Sequence, residues 1–312
     1  MSRPVLIDTD TGVDDALAIM LALRSPEISV KAITTVAGNV EVQKCTRNVI
    51  TILHLLQPTD RPTVAQGAAK PLRKGLVTAP EVHGTDGLGE LASRSRLPGK
   101  HLKSAVAVIL QQCEQYGQKL TIVALGPLTN LAKALKKNPW IFRKVGKIVS
   151  MGGAFRVSGN TGPVAEFNYF VDPDAAQILV NSNLPMTVIP LDVTEQIVLM
   201  RREVEYRARR RASDVAKFVL EVTNHYMRYH RRTEGFFGGY LHDPIAIAAA
   251  VWPSIIETKQ IHVDVETEGK FTRGMSVAEF RKPLTSQVTK VNVATKIDRE
   301  RFLRFFHERL WK

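Results

Sequence analysis

Val5-Leu6-Ile7-Asp8-Thr9-Asp10-Thr11-Gly12-Val13-Asp14-Asp15-Ala16-Leu17 places four carboxylates within eight residues, directly after an apolar run. A second apolar segment, Ala16 to Leu23, follows at once. A structural turn has no use for so much like charge. Carboxylates this close repel one another unless something cationic sits among them. A hard divalent cation with oxygen ligands resolves the conflict. The segment therefore reads as a metal site at the top of a strand.

Outward from this stretch, short β-rich runs alternate with longer helix-period runs. Val5–Ile7, Val30–Val36, Thr121–Leu125, Ile148–Met151 and Met186–Leu191 read as strands. Asp14–Leu23, Val42–Leu56, Lys103–Tyr116, Leu128–Leu135 and Pro173–Val180 read as helices. The alternation predicts an α/β fold: one domain over 1–312, with a mostly parallel, Rossmann-like sheet and helices on both faces. Residues 201–240 read as a polar helical excursion over the site. In such sheets ligands bind at the carboxyl ends of the strands. Asp8 and Asp10, Gly38-Asn39, Gly126-Pro127, Gly152-Gly153 and Asp192 all fall at such ends.

The 312 residues are 44% hydrophobic and 23% charged, ordinary values for a globular protein. No apolar run reaches the roughly 18 residues that span a bilayer. The N-terminus has neither signal-peptide nor transit-peptide character. Cys45 and Cys113 form no disulfide framework and no zinc spacing. A cytoplasmic location without membrane association is expected. The net charge of +13 raises a nucleic-acid reading. Its arginines cluster at Arg201, Arg202, Arg207 and Arg209–Arg211, and again at Arg228, Arg231 and Arg232. Such runs are ordinarily solvated helix faces. No aromatic platform accompanies them, so no nucleic-acid partner is expected.

Asp10 is placed to reach a cation from the strand end, and Asp15 from the helix start. The lack of Cys or clustered His disfavours zinc. An isolated Asp14-Asp15 pair would serve as a helix N-terminus, a reading weakened by Asp8 and Asp10 so close by. Ile7-Asp8-Thr9-Asp10-Thr11 also fits the short pattern of the haloacid-dehalogenase phosphatases, with Asp8 as nucleophile. Asp14 and Asp15 oppose that alternative, because they add negative charge where a phosphate would sit.

Asp8-Thr9-Asp10-Thr11-Gly12-Val13-Asp14-Asp15-Ala16 closely resembles the N-terminal signature of the inosine-uridine-preferring nucleoside hydrolases. Thr35-Val36-Ala37-Gly38-Asn39-Val40, Val82-His83-Gly84-Thr85-Asp86-Gly87-Leu88-Gly89 and Ala124-Leu125-Gly126-Pro127-Leu128-Thr129-Asn130-Leu131-Ala132 resemble later family blocks. So do Met151-Gly152-Gly153, Ala165-Glu166-Phe167-Asn168, Val171-Asp172-Pro173-Asp174-Ala175-Ala176 and Leu241-His242-Asp243-Pro244. The blocks run in the family's order from residue 5 to about 250.

The resemblance implies calcium-dependent hydrolysis of ribonucleoside N-glycosidic bonds to ribose and free base. It implies one Ca²⁺ per subunit, held by Asp10, Asp15, Asp243 and the Leu125 carbonyl, with a water and two ribose hydroxyls. Asp14, Asn39, Asn160, Glu166 and Asn168 match family positions that hold ribose, and Met151 one that lies under the sugar. Asp8 is left a supporting role. Asp10 would take a proton from the metal-bound water. Breaking the bond builds an oxocarbenium-like ribosyl cation, which surrounding carboxylates and amide oxygens stabilise.

His242 is the expected acid for the leaving base, since histidine titrates near neutrality. His83 is expected to contact the substrate from a loop. Each also has an ordinary reading: His83 as loop chemistry, Asp243 as an N-cap with Pro244 at the first helical position. Expected partners are a ribonucleoside and further copies of the chain in a homodimer or homotetramer, serving nucleoside salvage. Purine or pyrimidine preference is assigned to loops that sequence does not place, around 75–90 and 220–240.

Overall fold

The structure is a computed structural model that describes residues 2–91, 102–281 and 289–311. Twelve strands appear among them. These are β1 (Arg3–Thr9), β2 (Ile28–Thr35), β3 (Thr63–Gln66), β4 (Lys103–Ser104), β5 (Thr121–Ala124), β6 (Lys147–Met151), β7 (Met186–Ile189), β8 (Val198–Met200), β9 (Gly238–Tyr240), β10 (Ile256–Val265), β11 (Ser276–Glu279) and β12 (Val291–Ile297). Ten of them form one sheet in the order β11-β10-β12-β7-β6-β5-β1-β2-β3-β4, and β8 pairs with β9 separately.

Pairing is parallel from β12 through β7 to β4. Within that sheet it is antiparallel where β10 meets β11 and β12, and the separate β8–β9 pair is antiparallel too. The expected α/β sheet is therefore present, with an antiparallel edge built from the last third of the chain. That edge and the short β3 are not among the strands read from sequence, although Ile261-His262-Val263-Asp264-Val265 of β10 alternates apolar and polar.

The helices named below are α1 (Val13–Leu23), α2 (Val42–Leu56), α3 (Pro80–His83), α4 (Ala105–Tyr116), α5 (Thr129–Lys137), α6 (Pro139–Phe142), α7 (Phe167–Val171), α8 (Pro173–Val180), α9 (Leu191–Thr194), α10 (Arg201–Arg210), α11 (Asp214–Thr233), α12 (His242–Val251) and α13 (Arg299–Leu310). They cover both sheet faces, giving two buried apolar clusters. Side chains alternate across a strand. Val5 and Ile7 of β1 accordingly join the cluster under α1 and α12. Leu6 joins the opposite cluster with residues of α4, α5 and α8.

Within the sheet β1 sits between β2 and β5. The chain runs to one side through β2 and β3, then crosses to the other through β5 and β6. This makes β1/β5 the switch point, where the loops at the strand ends part and open a crevice. Asp10 follows β1 there, and Leu125 follows β5.

Residues 201–240 form the expected helical excursion, α10 and α11, closed by the β8–β9 ribbon. The arginines along it lie on helices. Arg201 pairs with Glu205 at 2.9 Å, and Arg207 with Glu203 at 3.6 Å. No helix of the described residues is long and apolar enough to cross a membrane.

Candidate active site

The acidic stretch divides by strand parity. Asp8 shares the parity of Leu6 and points toward α5, where its Oδ1 accepts hydrogen bonds from Thr34 Oγ1 and from Asn130 Nδ2 at 2.8 Å. Thr9, on the other parity, points toward α1 and donates to Asp15 Oδ1. Asp10 stands just beyond the strand. Asn39 N donates to its Oδ2 at 2.8 Å, while the buried Oδ1 has no partner among the described residues.

Asp15 Oδ2 accepts from Gly12 N at 2.8 Å and from Asn39 Nδ2 at 3.1 Å. Asp14 and Asp15 occupy the first turn of α1, and Asp243 the first turn of α12. These helix N-termini direct positive partial charge at the acids. The helix at α12 begins at His242 with Leu241 as its N-cap, so Asp243 is not the cap expected from sequence.

Oxygens of Asp14, Asp15 and Asp243 lie within 4.8 Å of one another, all buried. Burial, then the neighbouring Asp15, drives the Asp10 and Asp243 carboxyls well above the usual range. The same causes push Asp14 up to about 8. Desolvation also raises Asp15. No lysine or arginine offsets this charge in the adjoining cavity. An all-oxygen donor set of buried mutually repelling carboxylates, with one oxygen unpartnered, fits a hard divalent cation.

The acids open onto a cavity of about 540 Å³, within the range typical of small-molecule sites. Asp14, Asn39, His83, Leu125, Met151, Asn160, Glu166, Asn168, His242 and Asp243 all line it. Asp10 and Asp15 do not line it, but both are hydrogen-bonded to Asn39, which does. Asp8 does not line it, and burial pushes its carboxyl up to about 7 against the hydrogen bonds from Thr34 and Asn130. The phosphatase alternative needs Asp8 turned toward a substrate, whereas its carboxylate is engaged by Thr34 and Asn130.

Asn168 Nδ2 donates to the Leu125 carbonyl at 2.8 Å and to the Met151 carbonyl at 3.3 Å. Its Oδ1 is left to accept from a ligand. Glu166 caps α7, with Oε1 accepting from Asn168 N and Oε2 from Gly153 N and Tyr169 N. Burial nonetheless pushes Glu166 up to about 7. Asn160 is exposed, and its side-chain oxygen accepts from Phe167 N at 2.9 Å, which ties the rim loop to α7.

His83 Nδ1 accepts from Val13 N at 3.2 Å, so the other ring nitrogen carries the proton. The ring stacks on Tyr226 at 5.6 Å. His242 Nδ1 lies 2.7 Å from Thr194 Oγ1. Burial, then neighbouring histidines, pushes both His83 and His242 down to about 3. The near-neutral titration expected of His242 from its residue type is thus overturned. The ring is neutral at physiological pH and can act as a neutral hydrogen-bond donor.

Sequence reasoning left several lining residues unassigned: Glu195 after α9, Tyr226 on α11, and Tyr240 on β9. Tyr229 and His230 on α11 also line the cavity. His225 instead contacts the Glu81 carbonyl at 3.1 Å. The helical spacing of 226, 229 and 230 on one face of α11 was the available signal.

The family model for inosine-uridine preferring nucleoside hydrolases matches residues 5–304. The chain is 41% identical over 311 residues to the pyrimidine-specific ribonucleoside hydrolase RihA of Enterobacter sp. (strain 638), covering 99% of this chain and 98% of that protein. Among solved structures it is similar to the purine-preferring ribonucleoside hydrolase from Gardnerella vaginalis, with a TM-score of 0.92, 37% identity and coverage of 99% and 98%. It is also similar to a plant nucleoside hydrolase, PpNRh1, with a TM-score of 0.93, 34% identity and 99% coverage of both chains. The matched span takes in both strand ends at the switch point and both helix N-termini that carry the acids, and on this evidence the chain belongs to the inosine-uridine preferring nucleoside hydrolase family.

Proposed function

We propose that the chain hydrolyses ribonucleosides to ribose and free base in a calcium-dependent reaction, with Asp10 as general base and His242 assisting the leaving base. Hydrolysis of nucleosides follows from the family. The calcium requirement and the residue roles are our reading. The observation that carries it is the Oδ1 of Asp10, unpartnered among the described residues and buried beside Asp15, Asp14 and Asp243.

Asp10, Asp15, Asp243 and the Leu125 carbonyl would hold the ion. Bound there, it would supply Lewis-acid activation of water and neutralise the clustered charge. The residues themselves account for the rest. Asp10 Oδ1 is free to accept a proton from the attacking water. Asn39 holds Asp10 through its backbone and Asp15 through its side chain, keeping the two carboxylates in register. The Asn168 amide, held by two carbonyls, presents Oδ1 to a ribose hydroxyl. Glu166 and Asn160 approach the sugar from the same loop, and Met151 lies beneath it. Negative charge around the sugar stabilises the developing ribosyl cation. His242, kept neutral and oriented by Thr194, donates a hydrogen bond to the departing base, and His83 lies on the same side. Among the described residues, six acidic side chains and no lysine or arginine line the cavity. That suits an uncharged nucleoside and opposes a phosphorylated one.

A ribonucleoside partner, a homodimeric or homotetrameric assembly, and a cytoplasmic role in nucleoside salvage complete the proposal. The test is a hydrolysis panel of inosine, uridine, cytidine and adenosine before and after exhaustive chelation, with calcium added back. Calcium-restored hydrolysis is expected. Full activity in the chelated protein would refute the metal assignment.

A further inference from the structure

The assigned ribose contacts occupy one side of the cavity, and a leaving base faces the rest of its lining: Val77, Thr78, Ala79, Glu81 and Val82 in and before α3, and the wall carried by α9, α11 and β9. That wall is aromatic and acidic. Tyr226, Tyr229, His230 and Tyr240 offer ring faces, and Glu195 and Glu234 are its charged groups. The two glutamates differ. Glu234 is exposed, and its Oε2 accepts from the Tyr240 hydroxyl at 2.6 Å. Glu195 is half-buried, and no donor or cation partners its carboxylate among the described residues. Its backbone is fixed, since Glu195 N donates to the Leu191 carbonyl at 3.0 Å. It also directly follows Thr194, which holds the His242 ring.

A half-buried carboxylate without a partner is costly to keep. Burial, then Glu234 and Asp192, pushes Glu195 up to about 7. A ligand bringing N–H donors would relieve that cost. Across the base from the glycosidic nitrogen stands the C4 substituent of a pyrimidine or the C6 substituent of a purine. Cytosine and adenine carry an amino donor there. Uracil and hypoxanthine carry there a carbonyl oxygen, which a carboxylate repels, and bring only one adjacent ring N–H where the amino group brings two.

We propose that Glu195 is a specificity-determining residue whose carboxylate accepts a hydrogen bond from the amino group of the leaving base, so that the site favours amino-bearing bases over their carbonyl counterparts. This inference rests on the nucleoside-hydrolase reading of the same cavity and extends it to the base. The covalent chemistry is unchanged, because Glu195 contacts the base and not the bond that breaks.

The experiment measures kcat/KM for two matched pairs, cytidine against uridine and adenosine against inosine, in the wild type, Glu195→Gln and Glu195→Ala. Glutamine keeps the size but offers both a donor and an acceptor, so it should discriminate less. The wild type is expected to prefer the amino member of any pair it hydrolyses by roughly tenfold or more. Both variants are expected to bring that ratio close to one, with thermal unfolding checked to confirm that they fold. A ratio equal in the wild type and both variants, or a wild-type preference for the carbonyl member, overturns the role of Glu195 and leaves the hydrolase reading standing. A wild type that hydrolyses none of the four overturns both.

Discussion

Gly38 leaves the space that the Asp10 carboxylate fills. A Cβ at Gly38 would overlap Asp10 Oδ2, and one at Gly126 would come within 2.6 Å of Oδ1. Each glycine follows a strand that flanks β1. The Asp10 carboxylate is thus pressed between two backbones that approach too closely for any side chain. Gly38→Ala and Gly126→Ala should each displace the carboxylate while sparing the sheet. Misplacement of about 1 Å commonly costs on the order of a hundredfold in rate. Steady-state kinetics should show that loss in kcat, with weakened calcium binding by calorimetry. Near-wild-type turnover in either variant would mean that Asp10 is not the base.

Calcium and pH should be linked through the buried acids. Asp14 is pushed up to about 8, and Asp8 and Glu166 to about 7, chiefly by burial. Unfolded carboxyls titrate near 4. A folded value above the unfolded one means that the metal-free fold prefers the protonated form. Its stability is full below about pH 4 and is lost as pH rises toward the folded values. The Tm of the chelated protein should therefore fall between pH 5 and pH 8. Calcium binds the ionised form, so its stabilisation should be larger at pH 8. A calcium-induced Tm shift that is the same at both values contradicts this linkage.

Discrimination for ribose should be strong. Asn168, Asn39 and Glu166 are buried polar groups that line the cavity, and we assign them to the sugar. A substrate lacking the 2′-hydroxyl leaves one of them, or the metal, unpaired. We expect kcat/KM for 2′-deoxyinosine to fall at least about a hundredfold below that for inosine. Near-equal rates would remove the assigned sugar contacts.

Thr194 should act through His242. Thr194→Val removes the hydroxyl that meets Nδ1 and leaves the ring free to change tautomer and tilt. Roughly a tenfold fall in kcat with little change in KM is expected, with Thr194→Ser restoring it. A variant altered only in Tm would reduce Thr194 to a packing role.

Asn130 is the structural hub behind the acids. Its side chain donates to Asp8 Oδ1 and the Thr35 carbonyl and accepts from Ala68 N. Asn130→Ala leaves these buried groups short of partners, at a cost of about 2–3 kcal/mol. Denaturant unfolding of the calcium-loaded protein checks the value, and a change under about 0.5 kcal/mol, as for an ordinary surface site, would sink it.

Much of this molecule is legible in residues 5–17. The apolar run and its alternation dictate a buried strand, and the acids after it dictate a helix N-terminus and a cation. Local chemistry suffices there, because strand parity and first-turn charge act over a few residues. Parity alone does not separate Asp8 from Asp10, which differ because β1 ends at Thr9. Boundaries such as Val42–Leu56 and Pro173–Val180 were equally plain, since amphipathic period and turn residues mark them.

Tertiary structure decided what depends on distant segments. Only the switch point at β1/β5 brings Asp243, the Leu125 carbonyl and Asn168 to Asp10. Only burial, a property of the whole packing, takes His242 from the neutrality of its residue type down to about 3. The base-facing wall is the clearest case. Glu195 and Tyr240 look like ordinary polar loop and strand residues in sequence. They become cavity walls because α9 and the β8–β9 ribbon carry them there, and no short-range pattern encodes that meeting.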